Sequence, residues 1–301
     1  MGLFTIHLLA RLLLTVALSA LLVACSMPRL GYQNIDHLIR WKVNDYVSLT
    51  REQRRWLNAE VQAQHAWHCH LDLPRYRPLL MAARDAVLEE QPDPESLRAQ
   101  LPAWKNEIDL TLQRMLPGIV ELLRQLNAEQ LEQLSSELSK KQAELRERYV
   151  EPDERSQIAE RSERMQKRLE RWLGRLNPAQ TQRIDQWADQ PSDRNALWLA
   201  NRQHWQNVLH ERLQARQAPD FPSDMAALLL QPQQFWLAPY REQQPAVTDA
   251  TIRMLSDVML QTRAPQREHL RRQVDSLLRE LERVRCPSLP EGMPPSAAAT
   301  S

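Results

Sequence analysis

Glycine is nearly missing from this chain: Gly2, Gly31, Gly118, Gly174 and Gly292 stand singly among 301 residues. No dinucleotide fingerprint of the GxGxxG type and no phosphate loop of the GxxxxGK type can be written, which excludes the common nucleotide-driven chemistries. A surplus of one charge is missing too. With 39 Lys and Arg against 38 Asp and Glu, the net charge is +1, and no basic excess is available to attract a nucleic acid. No run of alternating β-branched and polar residues is long enough to nominate a strand. Cysteine is limited to three residues and phenylalanine to three, against nine tryptophans. Catalytic signatures are also lacking. There is no GxSxG elbow, and His210-Glu211 has no second histidine of a zincin after it. Glu95-Ser96 lacks the glycine-bearing surroundings of a lytic transglycosylase. The sequence is read as that of a non-enzymatic protein with no cofactor, no nucleotide and no nucleic-acid partner.

What the chain does contain is leucine-rich periodicity interrupted by proline. Pro74, Pro94, Pro102, Pro152, Pro178, Pro191, Pro222, Pro245 and Pro265 fall between periodic segments and cut the chain into helices. Pro117, beside Gly118, lies inside one segment and predicts a kink. The fold class is therefore all-α: a proline-punctuated, elongated bundle of helices and hairpins over residues 32–285. Its clearest feature is a long hairpin over 127–174. Leu131, Leu134, Leu138, Leu145 and Tyr149 form one apolar seam, and Ile158, Met165, Leu169 and Trp172 form the other. Near the C-terminus, Leu270, Val274, Leu277, Leu281 and Val284 form a seam whose expected partner is the helix holding Ile252, Leu255, Val258 and Met259. Residues 286–301, rich in proline and alanine, have nothing to bury and read as a disordered tail. The tryptophans are spread through the helices, as suits large side chains at helix crossings.

A helix-start motif, L-[TN]-x-x-Q, recurs at Leu49-Thr50-x-x-Gln53, Leu126-Asn127-x-x-Gln130 and Leu176-Asn177-x-x-Gln180. Each copy has an apolar residue eight positions after its leucine: Leu57, Leu134 and Ile184. Thr or Asn caps the helix N-terminus, Gln at N3 reaches back to the cap's N–H, and the preceding Leu packs on the first turns. The motif also resembles the LTxxQ signature of Spy-type periplasmic chaperones, helical hairpin proteins that hold clients without ATP.

Residues 1–24 carry a basic start up to Arg11, an apolar run from Leu12 to Ala24 and then Leu22-Val23-Ala24-Cys25, which is similar to a bacterial lipobox. The run is about half of the ~20 residues needed to span a bilayer, so it reads as a signal-peptide core. The resemblance implies an acylated Cys25 as the mature N-terminus and residues 25–31 as a tether. Ser26 then favours the outer membrane, with the body lipid-anchored and facing the periplasm. The Tyr32-Gln33-Asn34-Ile35-Asp36 opening, Trp41, Asp45-Tyr46-Val47-Ser48-Leu49-Thr50 and Leu73-Pro74-Arg75-Tyr76 resemble a family of uncharacterised Gram-negative lipoproteins with a domain of unknown function. That likeness implies a location and an architecture but no activity.

Two further groupings carry chemistry. His65, His68, Cys69 and His70 cluster, with Asp72 just beyond. On a continuous helix His68 shares the stripe of Leu57 and Val61, His65 lies at its edge and His70 on the far side, so His65 and His68 are the pair that could share a metal. The ordinary alternative is a packed His68 with a hydrogen-bond partner. Cys69 and Cys286 are the one internal pair the sequence allows once Cys25 is committed to lipid, and their spacing leaves open whether they meet. Together these readings lead to a lipid-anchored interaction protein that holds or scaffolds envelope proteins, ahead of a metal-binding envelope stress sensor and, third, a cell-wall enzyme.

Overall fold

The computed structural model describes residues 28–89, 92–190 and 193–289. Residues 1–24, expected to be a signal peptide, Cys25 and the part of the expected tail beyond residue 289 lie outside the described residues. The elements are α1 (Pro28–Gln33), α2 (Ile35–Asn44), α3 (Arg51–Trp67), a π-helical turn (His68–Asp72), α4 (Leu73–Leu88), α5 (Pro94–Ala99), α6 (Leu101–Gln125), α7 (Ala128–Tyr149), α8 (Glu154–Leu173), α9 (Pro178–Ala188), α10 (Arg194–Gln214), α11 (Phe221–Leu230), a short 3₁₀ turn (Pro232–Phe235), α12 (Ala238–Leu260) and α13 (Ala264–Glu282). No strand occurs among the described residues, and the all-α expectation holds.

Most prolines sit where an N–H would be orphaned anyway. Pro74, Pro94, Pro102, Pro178, Pro222 and Pro265 occupy the first or second helical position of α4, α5, α6, α9, α11 and α13. Pro245 departs from the expectation. It lies inside α12, which runs on through it, as α6 runs on through Pro117. Burial of α12 on both sides of Pro245, through Tyr240 and Met254, outweighs the lost hydrogen bond.

The helices bury two apolar clusters. The first gathers Tyr32 and Ile35 from the N-terminal helices, Leu57 and Val61 of α3, Leu112 and Leu123 of α6, Leu131 and Leu134 of α7, Trp205 and Leu209 of α10, and α11. The second gathers Met165 of α8, Ile184 and Trp187 of α9, Met254 and Val258 of α12, and Leu270, Val274 and Leu278 of α13. The hairpin expected over 127–174 is corrected accordingly. Both helices form, but α7 packs on α10, whereas α8 packs on α9 and α13. Their seams look alike, but they belong to different cores. The partner of the C-terminal helix is corrected too: α13 packs on α4 and α8, and meets α12 residues only within the shared cluster. At the ends, α1 occupies residues assigned to the tether, and Cys286 and Pro287, assigned to the tail, are tied to the body as described below. Trp41 is the exception among the tryptophans, 64% exposed.

Candidate functional site

All three L-[TN]-x-x-Q copies form capping boxes. Thr50, Asn127 and Asn177 accept from the N–H of Gln53, Gln130 and Gln180, whose side chains accept from the cap N–H groups. Leu49 and Leu126 are buried and Leu176 is half-buried against the second core. The glutamines do more than close a local ring. Gln53 Nε2 donates to Gln130 Oε1 (3.0 Å) while Gln130 Nε2 donates back to Gln53 Oε1 (2.7 Å). Their remaining amide hydrogens go to Gln125 O and Ser48 O, each in the segment leading into the other's helix. In the second half of the molecule Gln180 pairs in the same crossed manner with Gln266 and donates to Val258 O, while Gln266 donates to Arg175 O. Gln266 is the N3 residue of α13 and accepts from Arg263 N at 3.2 Å. The search for Thr or Asn caps misses this fourth start because Arg263 stands at the cap. Its one sequence signal is Pro265-Gln266 at the head of a periodic segment. Two amides that fill all four donor and four acceptor positions between them make a fully satisfied buried polar contact. The motif residues therefore act as joints between helix ends.

The second assembly centres on the π turn between α3 and α4. Widening the helix here brings Cys69 and Asp72 to the inside, with His68 half-buried beside them. The one hydroxyl hydrogen of Thr111 on α6 is shared between Asp72 Oδ2 (2.8 Å) and Glu107 O (3.0 Å), so the hydroxyl can only accept from Tyr76 (3.3 Å). Tyr76 must then accept from His68 Nε2–H (3.0 Å), and His68 Nδ1 is left to accept from Tyr32 (2.8 Å). The chain of donors Tyr32, His68, Tyr76 and Thr111 thus runs one way and ends on Asp72, which is 0% exposed. Arg75 pairs with Asp72 and with Glu107 (2.8 Å) at the outer end. Burial drives each group toward its neutral form. His68 falls to about 4, with His65 and Arg75 adding to the effect. Asp72 rises to about 6 against the opposing bond from Thr111, and Tyr76 rises to about 12. Tyr32 is also raised, by burial first.

The histidine cluster does not arrange itself as the helical projection expects. His65, placed at the edge, is buried on the stripe at 9% exposure, and its pKa is lowered by that burial. His68 spends both ring nitrogens on tyrosines, so it has no lone pair for a metal shared with His65. Cys69 is joined to Cys286 in a disulfide, and His70 donates to Pro287 O at 2.9 Å. Among the described residues no group of three or more His, Cys, Asp and Glu converges as a metal site would.

Beside this network lies an apolar pocket of about 90 Å³ between α2, α3 and α6, walled by Ile35, Ile39, Trp56, Val61, Met115, Ile119 and Leu122. Tyr32, Gln64, His65 and Thr111 also line it. Glu60 lines it too and accepts from Gln64 Nε2 at 2.8 Å. Sequence reading missed the pocket because its three walls are separated by long stretches of chain. The only hint was Gly118, where a side chain would meet the Glu60 carboxylate.

No curated protein and no solved structure matches this chain. The sequence profile of a family of unknown function (DUF6279) matches residues 45–241, from the approach to the first capped helix to the start of α12, and with more than half of its length so matched the chain belongs to that family.

Proposed function

We propose that this chain is a lipid-anchored interaction protein of the outer membrane, facing the periplasm, that holds apolar segments of envelope proteins without ATP. The observation that carries the reading is the apolar pocket formed by α2, α3 and α6, since a concave apolar surface with a few polar groups is the usual form of a binding site. The lipobox-like Leu22-Val23-Ala24-Cys25 supports the anchor, and the pocket lies against α2, close in sequence to that cysteine. Among the described residues no helix is long and apolar enough to cross a membrane. The L-[TN]-x-x-Q motifs support the likeness to Spy-type holdases only as helix joints. The interspersed charges add weak contacts that salt would screen.

The purified protein should slow aggregation of a chemically unfolded envelope protein at near-stoichiometric ratio, with less protection at high salt. Cys25→Ser should abolish incorporation of labelled fatty acid. Absence of protection across several unrelated clients would remove the holding reading, and retention of Cys25→Ser in carbonate-washed membranes would remove the anchor.

A further inference from the structure

Of the nine tryptophans, eight are buried or half-buried, and Trp41 on α2 is 64% exposed. It stands on the outward side of its helix. Ile35 and Ile39 are buried, whereas His37 and Asn44, one turn to either side of Trp41, are exposed as it is. The charges around it are settled locally: Asp36 is paired with Arg40 (3.0 Å) and Asp45 with Lys42 (2.9 Å), so α2 and its C-cap carry no unpaired carboxylate to repel a phosphate. The Lys42 ammonium also stands 5.6 Å from the centre of the Trp41 ring. An indole with an ammonium beside it offers an apolar body to acyl chains and an N–H and a positive charge to headgroups, which is why tryptophan gathers at membrane interfaces. The length of the chain before α1 brings this face close to the proposed anchor. Only Ser26 and Met27 separate Cys25 from α1, and so short a chain reaches at most about 11 Å. From Pro28 to Trp41 the backbone is helical except at Asn34, and at about 1.5 Å per residue the two lie roughly 20 Å apart or less. With Cys25 anchored in a bilayer, Trp41 is held within about 30 Å of the acyl chains.

Resting on the lipid anchor proposed above, we infer that the outward face of α2 lies on the phospholipid surface that holds Cys25, with the Trp41 indole among the headgroups. The acyl chains keep the protein at the membrane, and Trp41 fixes which face it turns toward the lipid. An envelope protein or a second copy of the chain is the competing occupant. A specific protein interface buries roughly 800 Å² on each side, whereas Trp41 is flanked on its own face by polar residues. A bilayer interface, by contrast, takes a single indole. Leu260, 51% exposed at the end of α12, has no polar end to place among headgroups and serves as the comparison position.

The test uses the full chain, purified from membranes and reconstituted into vesicles of phosphatidylethanolamine and phosphatidylglycerol with ordinary or dibrominated acyl chains. Bromine quenches only fluorophores that reach the lipid. Trp41→Cys and Leu260→Cys are each labelled with a nitrobenzoxadiazole dye, the disulfide keeping Cys69 and Cys286 out of the reaction. Circular dichroism melts check that the variants fold, as substitutions at exposed positions should. Brominated lipid should quench the label at position 41 at least about twofold more than the label at position 260. The native tryptophan emission of the unlabelled protein should fall by roughly a tenth, the share of one tryptophan in nine, and Trp41→Gln should abolish that fall. Equal quenching at the two positions, or a fall that Trp41→Gln leaves unchanged, would overturn the inference. A label at position 41 that ignores the lipid and responds only to an unfolded client or to added protein would make Trp41 a protein contact and overturn it as well. Incorporation of labelled fatty acid separates this from the anchor. If Cys25 is acylated and position 41 stays unquenched, the α2 contact falls and the anchor stands. If Cys25 takes up no fatty acid yet position 41 is quenched when the full chain is added to vesicles, the anchor falls and the α2 contact stands.

Discussion

His68 and Asp72 are joined through Tyr76 and Thr111, and burial shifts their proton affinities in opposite directions. In the unfolded chain His68 takes a proton below its ordinary value of 6.5, whereas in the fold it stays neutral down to about 4. Acidification between those values therefore destabilises the protein through His68. Asp72 does the reverse: the folded carboxyl keeps its proton up to about 6, while the unfolded one loses it near 3.8, so over that range acidification stabilises. Each effect is on the order of 3 kcal/mol, and in the wild type they largely cancel. Asp72→Asn should expose the histidine, with urea midpoints falling from pH 6 to pH 4. His68→Gln keeps a donor and an acceptor for the two tyrosines and should expose the carboxyl, with midpoints rising over the same range. Parallel pH profiles for the three proteins would show that the two groups are not coupled to folding in this way.

Among the elements, the helix starts divide into a local part and a shared part. Thr50→Ala, Asn127→Ala or Asn177→Ala removes one capping bond and should cost about 1 kcal/mol in urea denaturation. Gln53→Leu does more. It strips a partner from the Thr50 N–H, from Gln130 and from Gln125 O together, and should cost on the order of 3 kcal/mol because buried groups are left unsatisfied. Adding Gln130→Leu to Gln53→Leu should cost clearly less than the two single changes combined, with a coupling of 1 kcal/mol or more. Strict additivity would mean that the two amides do not act as a unit. Gly174, which ends α8 at φ +72°, is the glycine whose backbone demands its residue type.

At the scale of the whole molecule, the long-range staple is Cys69–Cys286, which closes a loop of 217 residues. Chain entropy alone assigns such a cross-link about 5 kcal/mol, an upper figure because native strain and residual structure in the unfolded chain reduce it. Reduction should lower the melting temperature by on the order of 10 °C and free the segment around Pro287 from His70. Identical melting with and without reductant would refute the stabilisation. The staple joins the π turn, which carries His68 and Asp72, to the segment that follows α13, a helix of the second core. Loosening it should therefore also raise hydrogen exchange at residues 68–72.

Much of this protein is legible in its sequence because much of it is decided within four or five residues. Capping boxes, prolines in first turns and apolar seams act locally, so the helices and three of the four joined starts can be read from the chain alone. What the seams pack against cannot. Leu134 and Met165 sit on equally apolar stripes, and only competition among all the helices sends one to α10 and the other to α9 and α13. The same holds for the site. Packing buries His65, which a helical projection places at the edge of the stripe, while His68 is taken up by Tyr32 and Tyr76, and Thr111 fixes the direction of a hydrogen-bond chain that begins far from it in sequence. Local hydrogen bonding sets where each helix begins. Burial of the apolar faces, a property of the whole chain, decides which side chains meet.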